Sequence, residues 1–130
     1  MIVLDASAVV ELLLRTPAGS RVEHRIYAKT ELLHAPHLLD VEVAQVIRRL
    51  AAARIIAPAR GAITLRYLTD MSIIRHSHSV LLERIWHLRE SLTAYDAAYI
   101  ALAEVLDAPL LTCDRKLAGA ANHRARVELV

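Results

Sequence analysis

The amino-acid sequence predicts an α/β fold in which helices cover a parallel sheet. Short apolar runs, typical of buried strands, alternate along the chain with longer stretches of helical periodicity. This alternation favours parallel strands, because parallel neighbours need a long crossover connection between them. Two apolar runs are followed at once by an aspartate, Asp5 and Asp114. Open α/β sheets bind ligands beyond the carboxyl ends of their strands, so these aspartates indicate a site there.

The first strand is the apolar run Ile2–Leu4, whose continuity is typical of a strand buried on both faces. Asp5 ends the run. Ser7 is expected to cap the helix that follows, over residues 8–14. Residues 16–20 contain Pro and Gly and are predicted to form the turn after this helix.

Two strands and three helices are predicted in the middle of the chain. In order, they are a helix over about residues 20–30, a strand over 32–35, helices over 38–54 and 58–70, and a weak strand over 72–75. Pro36 closes the first of these strands, and Pro58 can start a helix. The helix over 38–54 presents one broad apolar face, as expected of a helix packed on a sheet.

The last third of the chain is predicted to hold three helices and two strands. In order, they are helices over 80–90 and 93–107, a strand over 110–113, a short helix starting at Asp114 and a strand over 126–130. Thr93 opens the second helix in the manner of a capping box, with Asp96 as its third-position acid. Pro109 breaks that helix.

Length and composition suit one domain spanning residues 1–130. Hydrophobic residues make up 55% of the chain, which predicts that apolar surface is buried against a partner subunit. No stretch reaches the roughly 18 apolar residues of a membrane span, and no secretion leader is evident. The one cysteine allows no internal disulfide, so a cytoplasmic location is expected.

The charge balance permits a nucleic-acid partner without requiring one. Net charge is +2, and 14 of the 16 basic residues are arginines, which suit forked phosphate contacts. Aromatic residues make up only 4% of the chain, and there is no Phe. This scarcity argues against a single-strand binder built on a stacking platform.

Four acidic residues have unusual settings. Asp5 and Asp114 follow buried strands, Asp96 lies in the first turn of a very apolar helix, and Glu42 projects from a largely apolar stripe. Each could instead have an ordinary structural role. Asp96 could be the acid of the capping box, and Asp114 could cap its helix. Asp5 could end a strand at a turn, and Glu42 could lie at the edge of its helix and reach water. Taken singly, the ordinary role is favoured for Asp96 and Asp114 and remains open for Asp5 and Glu42.

Convergence of the four acids would favour a metal site. Carboxylates held together repel one another, which raises their pKa values unless a cation compensates. Mg²⁺ and Mn²⁺ prefer carboxylate and water oxygens as ligands. Such an ion can activate a water and neutralise charge on a phosphodiester during its hydrolysis. An acidic metal site in a mildly basic protein is typical of a phosphodiesterase.

Four blocks of sequence carry a resemblance to a known family. The first is residues 2–8. The second is Val-Glu-Val at 41–43, which lies between Pro36 and Arg-Arg-Leu at 48–50. The third contains Tyr-Asp-Ala within 93–104, and the fourth contains Thr-Cys-Asp within 111–117. In these blocks the chain resembles PIN-domain ribonucleases and, within them, the VapC-type toxins of bacterial type II toxin–antitoxin pairs. The last two blocks are the most specific, and the resemblance covers essentially the whole chain.

The resemblance implies a three-layer α/β/α fold with a short, mainly parallel central sheet, and an endoribonuclease activity that depends on Mg²⁺ (or Mn²⁺). It also implies an acidic quartet, Asp5, Glu42, Asp96 and Asp114. Asp5 and Asp96 would be direct metal ligands, and Asp114 would complete the site directly or through water. Glu42 would orient the water or help to activate it as a nucleophile.

The same resemblance implies supporting residues and partners. Ser7 and Thr112 would form hydrogen bonds that fix the orientation of the carboxylates. The partners would be an RNA substrate, a second copy of the chain in a homodimer, and a cognate VapB-like antitoxin in a heterotetramer or larger assembly. The antitoxin tail would place a basic side chain near the acids.

Several other residues have weaker signals. Arg84, Arg89, Arg115 and Lys116 are candidate RNA contacts, with an ordinary solvated surface as the alternative. Two pairs of histidines occur close together, His34 with His37 and His76 with His78. For the first pair, packing or solvation is favoured over catalysis; for the second, a solvated loop is favoured over a metal site. Cys113 is expected to be a small buried residue without a base to activate it.

Two other functions remain open at this point. The first is a structure-selective DNA nuclease of the same architecture, although 130 residues leave little room for segments that bend or thread DNA. The second is a non-catalytic dimeric binding protein whose acids receive an arginine from a partner. Cleavage assays with RNA and DNA would distinguish these alternatives from a ribonuclease.

Overall fold

A single parallel sheet of five strands, in the order β3-β2-β1-β4-β5, forms the centre of the computed structural model, which describes residues 1–130. The strands are β1 Ile2–Leu4, β2 Leu33–Pro36, β3 Ile73–His76, β4 Leu110–Thr112 and β5 Val127–Leu129. Helices cover both faces of this sheet, so the predicted α/β/α class with a parallel sheet is confirmed.

Seven α-helices and one 3₁₀ turn connect the strands. They are α1 Ala6–Leu13, α2 Pro17–Tyr27, α3 Leu38–Ala52, α4 Pro58–Asp70, the 3₁₀ turn Ser79–Leu81, α5 Leu82–His87, α6 Ala94–Leu106 and α7 Arg115–Ala118. None of these helices has the length and hydrophobicity needed to cross a membrane.

Strand β1 lies in the middle of the sheet and determines where the chain places its acidic residues. All three of its residues are completely buried, as the continuous apolar run predicts. It pairs in parallel with β2 on one side and with β4 on the other. The carboxyl ends of β1 and β4 therefore lie side by side at one edge of the sheet, and the residues that follow them are neighbours.

The first two helices begin earlier than expected. Asp5, rather than Ser7, caps α1: its Oδ1 accepts a hydrogen bond of 2.9 Å from the Ala8 amide, so Ser7 lies inside the helix. The predicted turn at 16–20 is the start of α2, because Thr16 caps this helix and Pro17 occupies its first position. Proline and a capping threonine indicate a helix start as well as a turn.

The helix predicted over residues 80–90 is shorter in the structure and is divided into the 3₁₀ turn and α5. No side chain caps either piece. By contrast, the helix that Thr93 was expected to cap is confirmed as α6, and it ends at Asp107 in a left-handed conformation with φ 46°.

Helices α1 and α2 approach each other closely at Gly19. A Cβ atom on this residue would lie 2.0 Å from the backbone oxygen of Glu11, which is far inside van der Waals contact. Only glycine leaves room for this backbone approach, so the corner between the two helices depends on it.

Candidate active site

The four predicted acids meet at the edge of the sheet where β1 and β4 end. Asp5 follows β1 directly, and Asp114 lies just beyond β4. Glu42 reaches the same place from α3, and Asp96 from the first turn of α6. Their charges interact: Asp114 raises the pKa values of Asp5 and Asp96, while Asp5 and Asp96 both raise that of Glu42. The structure therefore places all four residues in one electrostatically coupled group.

Asp5 is the most buried acid of the group, with 5% of its surface exposed. Its carboxylate accepts hydrogen bonds from Thr112 Oγ1 at 2.6 Å, from Ser7 Oγ at 2.8 Å and from the Ala8 amide at 2.9 Å. Burial raises the pKa of Asp5, whereas these hydrogen bonds lower it, and the net result is a raised pKa. The carboxylate is thus fixed in orientation but costly to ionise.

Ser7 and Thr112 hold the ends of β1 and β4 together in addition to fixing Asp5. Ser7 Oγ accepts a hydrogen bond of 2.9 Å from the Cys113 amide. Thr112 Oγ1 accepts one of 2.9 Å from the Asp114 amide, and so it also shapes the backbone that carries the second strand-end acid. Both hydroxyls lie where the sequence predicts carboxylate-orienting residues.

Glu42 has a partner that the sequence analysis did not single out. Tyr99 Oη donates a hydrogen bond of 2.6 Å to Glu42 Oε2, across the space between α6 and α3. Burial raises the pKa of Glu42, the Tyr99 hydrogen bond lowers it, and the charges of Asp96 and Asp5 raise it further, so that the pKa is raised overall. The signal in the sequence is that Tyr99 follows Asp96 by one helical turn and therefore shares its helix face.

Asp96 and Asp114 combine their ordinary structural roles with membership of the acidic group. Thr93 Oγ1 accepts a hydrogen bond of 3.2 Å from the Asp96 amide, as in a capping box. Asp114 Oδ1 caps α7 by accepting a bond of 2.8 Å from the Lys116 amide. Burial raises the pKa of Asp96, and the charge of Asp114 adds to this effect. For both residues, a role in helix capping is therefore compatible with a role in the acidic group.

No cation neutralises the acidic group. None of the ion pairs in the structure includes Asp5, Glu42, Asp96 or Asp114. As they stand, no three His, Cys, Asp or Glu side chains are arranged closely enough to hold a metal ion. The donor set nevertheless fits Mg²⁺ or Mn²⁺ chemically, because all its donors are carboxylate oxygens. Burial raises the pKa values of Asp5, Glu42 and Asp96, and the charges of neighbouring acids raise them further.

The four candidate RNA contacts differ in their surroundings. Arg84 forms a two-point ion pair with Glu104 at 2.7 and 2.9 Å, so its guanidinium already has a partner. Arg89 lies 4.5 Å from the ring centroid of Trp86. Arg115 and Lys116 are exposed in α7. Lys116 also lines a cavity of about 460 Å³ that opens beside Asp96.

Three of the four histidines considered above, His34, His76 and His78, contact other parts of the fold. His34 Nδ1 and His76 Nε2 lie 2.9 Å apart, and the two rings stack on neighbouring strands. His78 Nε2 accepts a hydrogen bond of 2.9 Å from the Leu38 amide at the start of α3. The interpretation of His76 and His78 as a solvated loop is therefore wrong, because both rings are bound to other elements. His37 is exposed, in agreement with the solvation considered for it.

Cys113 lies beside the acidic group but has no visible activating base. It is half-buried at the end of β4, rather than fully buried on it as expected. Burial raises the pKa of its thiol, and the charge of Asp5 adds to the rise. A raised pKa disfavours the thiolate, so the residue is not prepared to act as a nucleophile.

Comparisons with known proteins agree with this fold. A family model described as "PIN domain" matches residues 2–122. The ribonuclease VapC12 of Mycobacterium tuberculosis is 42% identical over 130 residues, which cover 100% of this chain and 99% of the relative. The crystal structure of PAE2754 from Pyrobaculum aerophilum superposes with a TM-score of 0.73 at 24% identity, covering 97% of this chain and 81% of that one. Mycobacterium tuberculosis VapC20, described as a sarcin-ricin loop cleaving toxin, gives a TM-score of 0.70 at 12% identity, covering 93% and 97%.

Proposed function

Because this chain belongs to the VapC group of the PIN-domain family, we propose that it is the toxin of a type II toxin–antitoxin system and cleaves RNA as an endoribonuclease. The observation that carries the proposal is the group of four carboxylates, which lies at the ligand-binding edge of the sheet without a compensating cation. The sequence identity of 42%, over the whole chain, to a protein named as a ribonuclease supports the reaction class.

The acidic group would work with Mg²⁺ (or Mn²⁺). Asp5 and Asp96 would hold the ion, and Asp114 would complete the site directly or through a water. When bound, the ion would lower the pKa of a water and neutralise charge on the phosphodiester. Glu42 would orient the attacking water and help to remove its proton. Ser7 and Thr112 would keep the Asp5 oxygens in the required direction.

RNA would approach over the basic residues near the acids. Arg115 and Lys116 follow Asp114 in α7, and Lys116 lines the cavity beside Asp96. These side chains would contact phosphates on either side of the cleaved bond. Arg89 is the third candidate. Arg84 would have to exchange its Glu104 ion pair for such a contact, which makes it the weakest of the four.

The proposed partners are a second copy of the chain and a VapB-like antitoxin, in a heterotetramer or larger assembly in the cytoplasm. Helices α3 and α4 and the segment that connects them expose several apolar side chains, which supports a homodimer through this surface: Val41, Ile55, Ile63 and Tyr67. The antitoxin would inhibit by placing an arginine or lysine against the acids, because a guanidinium can pair with two carboxylates at once.

The experiment that tests the function is a cleavage assay with the purified, partner-free protein. An RNA and a DNA of the same sequence are incubated with Mg²⁺, with Mn²⁺ or with excess chelator. We expect internal cleavage of RNA with either ion and none with chelator. Undiminished cleavage in chelator would reject the metal mechanism. Preferential cleavage of DNA would favour the DNA nuclease, and failure to cleave any nucleic acid would favour a binding protein.

A further inference from the structure

Tyr99 stands in an unusual relation to Glu42. The two residues are 57 positions apart in sequence and lie on different helices, α6 and α3. Tyr99 is only 1% exposed, so its ring cannot swing away from the position that packing gives it. Its hydroxyl points from this fixed ring to Glu42 Oε2 at 2.6 Å. A partly buried carboxylate on a flexible side chain is thereby given one defined orientation.

From this geometry we infer that Tyr99 is a positioning residue for Glu42. It holds Oε2, while no hydrogen bond within the protein engages Oε1, which stays free for the ion or the attacking water. The inference rests on the proposed function for what Oε1 does, whereas the holding itself is independent of that function. Tyr99 also shares one face of α6 with Asp96, so a single helix supplies one acid and fixes the orientation of another.

The hydroxyl donates its proton to the hydrogen bond with Glu42. Burial and then the bond to Glu42 raise the pKa of the Tyr99 phenol above its ordinary value, which favours the protonated phenol. Tyr99 therefore does not exchange a proton with substrate or water. Its contribution is the direction that it gives to Glu42.

The test compares Tyr99→Phe with two control variants. Tyr99→Phe removes only the hydroxyl. Tyr95→Phe removes a hydroxyl from the same helix at an exposed position. Ile100→Val removes one buried methyl from the residue next to Tyr99, so it controls for lost stability without touching Glu42. Three properties are measured for each variant. They are the Mn²⁺ affinity by calorimetry, the rate of RNA cleavage at saturating substrate, and the temperature of thermal unfolding without metal.

We expect Tyr99→Phe to lose about 10- to 100-fold in Mn²⁺ affinity or in cleavage, the usual effect of removing a group that orients a metal ligand. Both controls should stay within about twofold of the unsubstituted protein. Retention of affinity and cleavage by Tyr99→Phe would overturn the inference, as would an equal loss in Ile100→Val. If the unsubstituted protein binds Mn²⁺ but cleaves no RNA, the proposed function fails, while the affinity measurement still decides the role of Tyr99. Absence of Mn²⁺ binding in the unsubstituted protein would overturn both.

Discussion

Thr112 donates a hydrogen bond of 2.6 Å to Asp5 across 107 residues of sequence. The same hydroxyl accepts from the Asp114 amide, so it contacts two of the four acids. Thr112 is completely buried, so both of these hydrogen bonds lie in the interior of the protein. The site and the pairing of β1 with β4 therefore depend on the same side chain.

Replacement of Thr112 by valine should damage both stability and cleavage. We expect a loss of about 1–3 kcal/mol in the free energy of unfolding, because the buried Asp5 carboxylate loses one of its three donors and the Asp114 amide loses its acceptor. Thr112→Ser should retain most of both properties. Thr64→Val is the matched control, since Thr64 is also buried and donates at 2.8 Å, but within α4. Chemical denaturation and RNA cleavage measure the two effects; equal cleavage in Thr112→Val and Thr64→Val would contradict the prediction.

Asp96→Asn should abolish cleavage without destabilising the metal-free protein. Burial and the charge of Asp114 raise the pKa of Asp96, so the ionised carboxylate is unfavourable in the folded state and an amide relieves it. Asp107→Asn provides the control, because Asp107 is a fully exposed acid at the other end of the same helix. Thermal unfolding in chelator and cleavage in Mg²⁺ measure the two effects. An active Asp96→Asn protein would refute its assignment as a metal ligand.

The advantage of Asp96→Asn in metal-free stability should grow with pH. An acid whose pKa is raised by folding binds more protons in the folded state, so its stabilising contribution is present below the unfolded pKa of about 4 and is lost as pH rises through the folded value. Arginines lower the pKa values of Glu31 and Glu104, so these two acids make stability rise with pH. Both are present in the unsubstituted protein and in Asp96→Asn, so their effects cancel in the difference in stability between the two proteins. Melting temperatures of both proteins in chelator, from pH 4 to about pH 8, measure this difference; a constant gap would contradict it.

The proposed homodimer should depend on the exposed apolar side chains of α3 and α4. Ile63 is 48% exposed on α4, and a charge there would be buried without a partner in a dimer. We expect the unsubstituted protein to be a dimer by light scattering at micromolar concentration and Ile63→Arg to be a monomer. Val105→Arg, at a position 66% exposed on α6, should remain a dimer. A monomeric unsubstituted protein would count against the interface.

Gly19→Ala should be among the most destabilising small substitutions in the chain. The added Cβ would meet the Glu11 oxygen at 2.0 Å, and backbone cannot move aside as a side chain can, so we expect a loss of about 3 kcal/mol or more. At Gly119 the nearest atom to an added Cβ is the Arg115 backbone oxygen at 3.3 Å, a tight contact that a shift of a few tenths of an ångström would relieve, so Gly119→Ala should cost much less than Gly19→Ala. Denaturant titration of both variants gives the comparison, and similar midpoints would mean that the helices separate easily.

The convergence of Asp5 and Asp114 could be predicted from the sequence because it follows from two local patterns and one general rule. Each aspartate ends an apolar run, and parallel strands align their carboxyl ends. The approach of Glu42 and Asp96 came from the family resemblance, since no local pattern says which helices face this edge of the sheet.

The partners of individual side chains could not be predicted in the same way. Tyr99 appears as one more apolar residue in a buried helix, and only the three-dimensional arrangement shows its hydroxyl aimed at Glu42. His78 likewise caps α3 from a distant segment. Ser7 was misjudged for a local reason: Asp5 is also a strong capping residue, and the helix takes the earlier of two available caps.

The central position of β1 between β2 and β4 has a consequence for synthesis of the protein. Ribosomes add about 5–20 residues per second, so roughly 5–20 s pass between the synthesis of Asp5 and the synthesis of β4. Until then, the growing chain carries Asp5, Glu42 and Asp96 without Thr112 or Asp114. A product of interrupted translation that stops before β4 would lack the strand that orders the acids. The acidic group is thus completed only after residue 114 has been added to the chain.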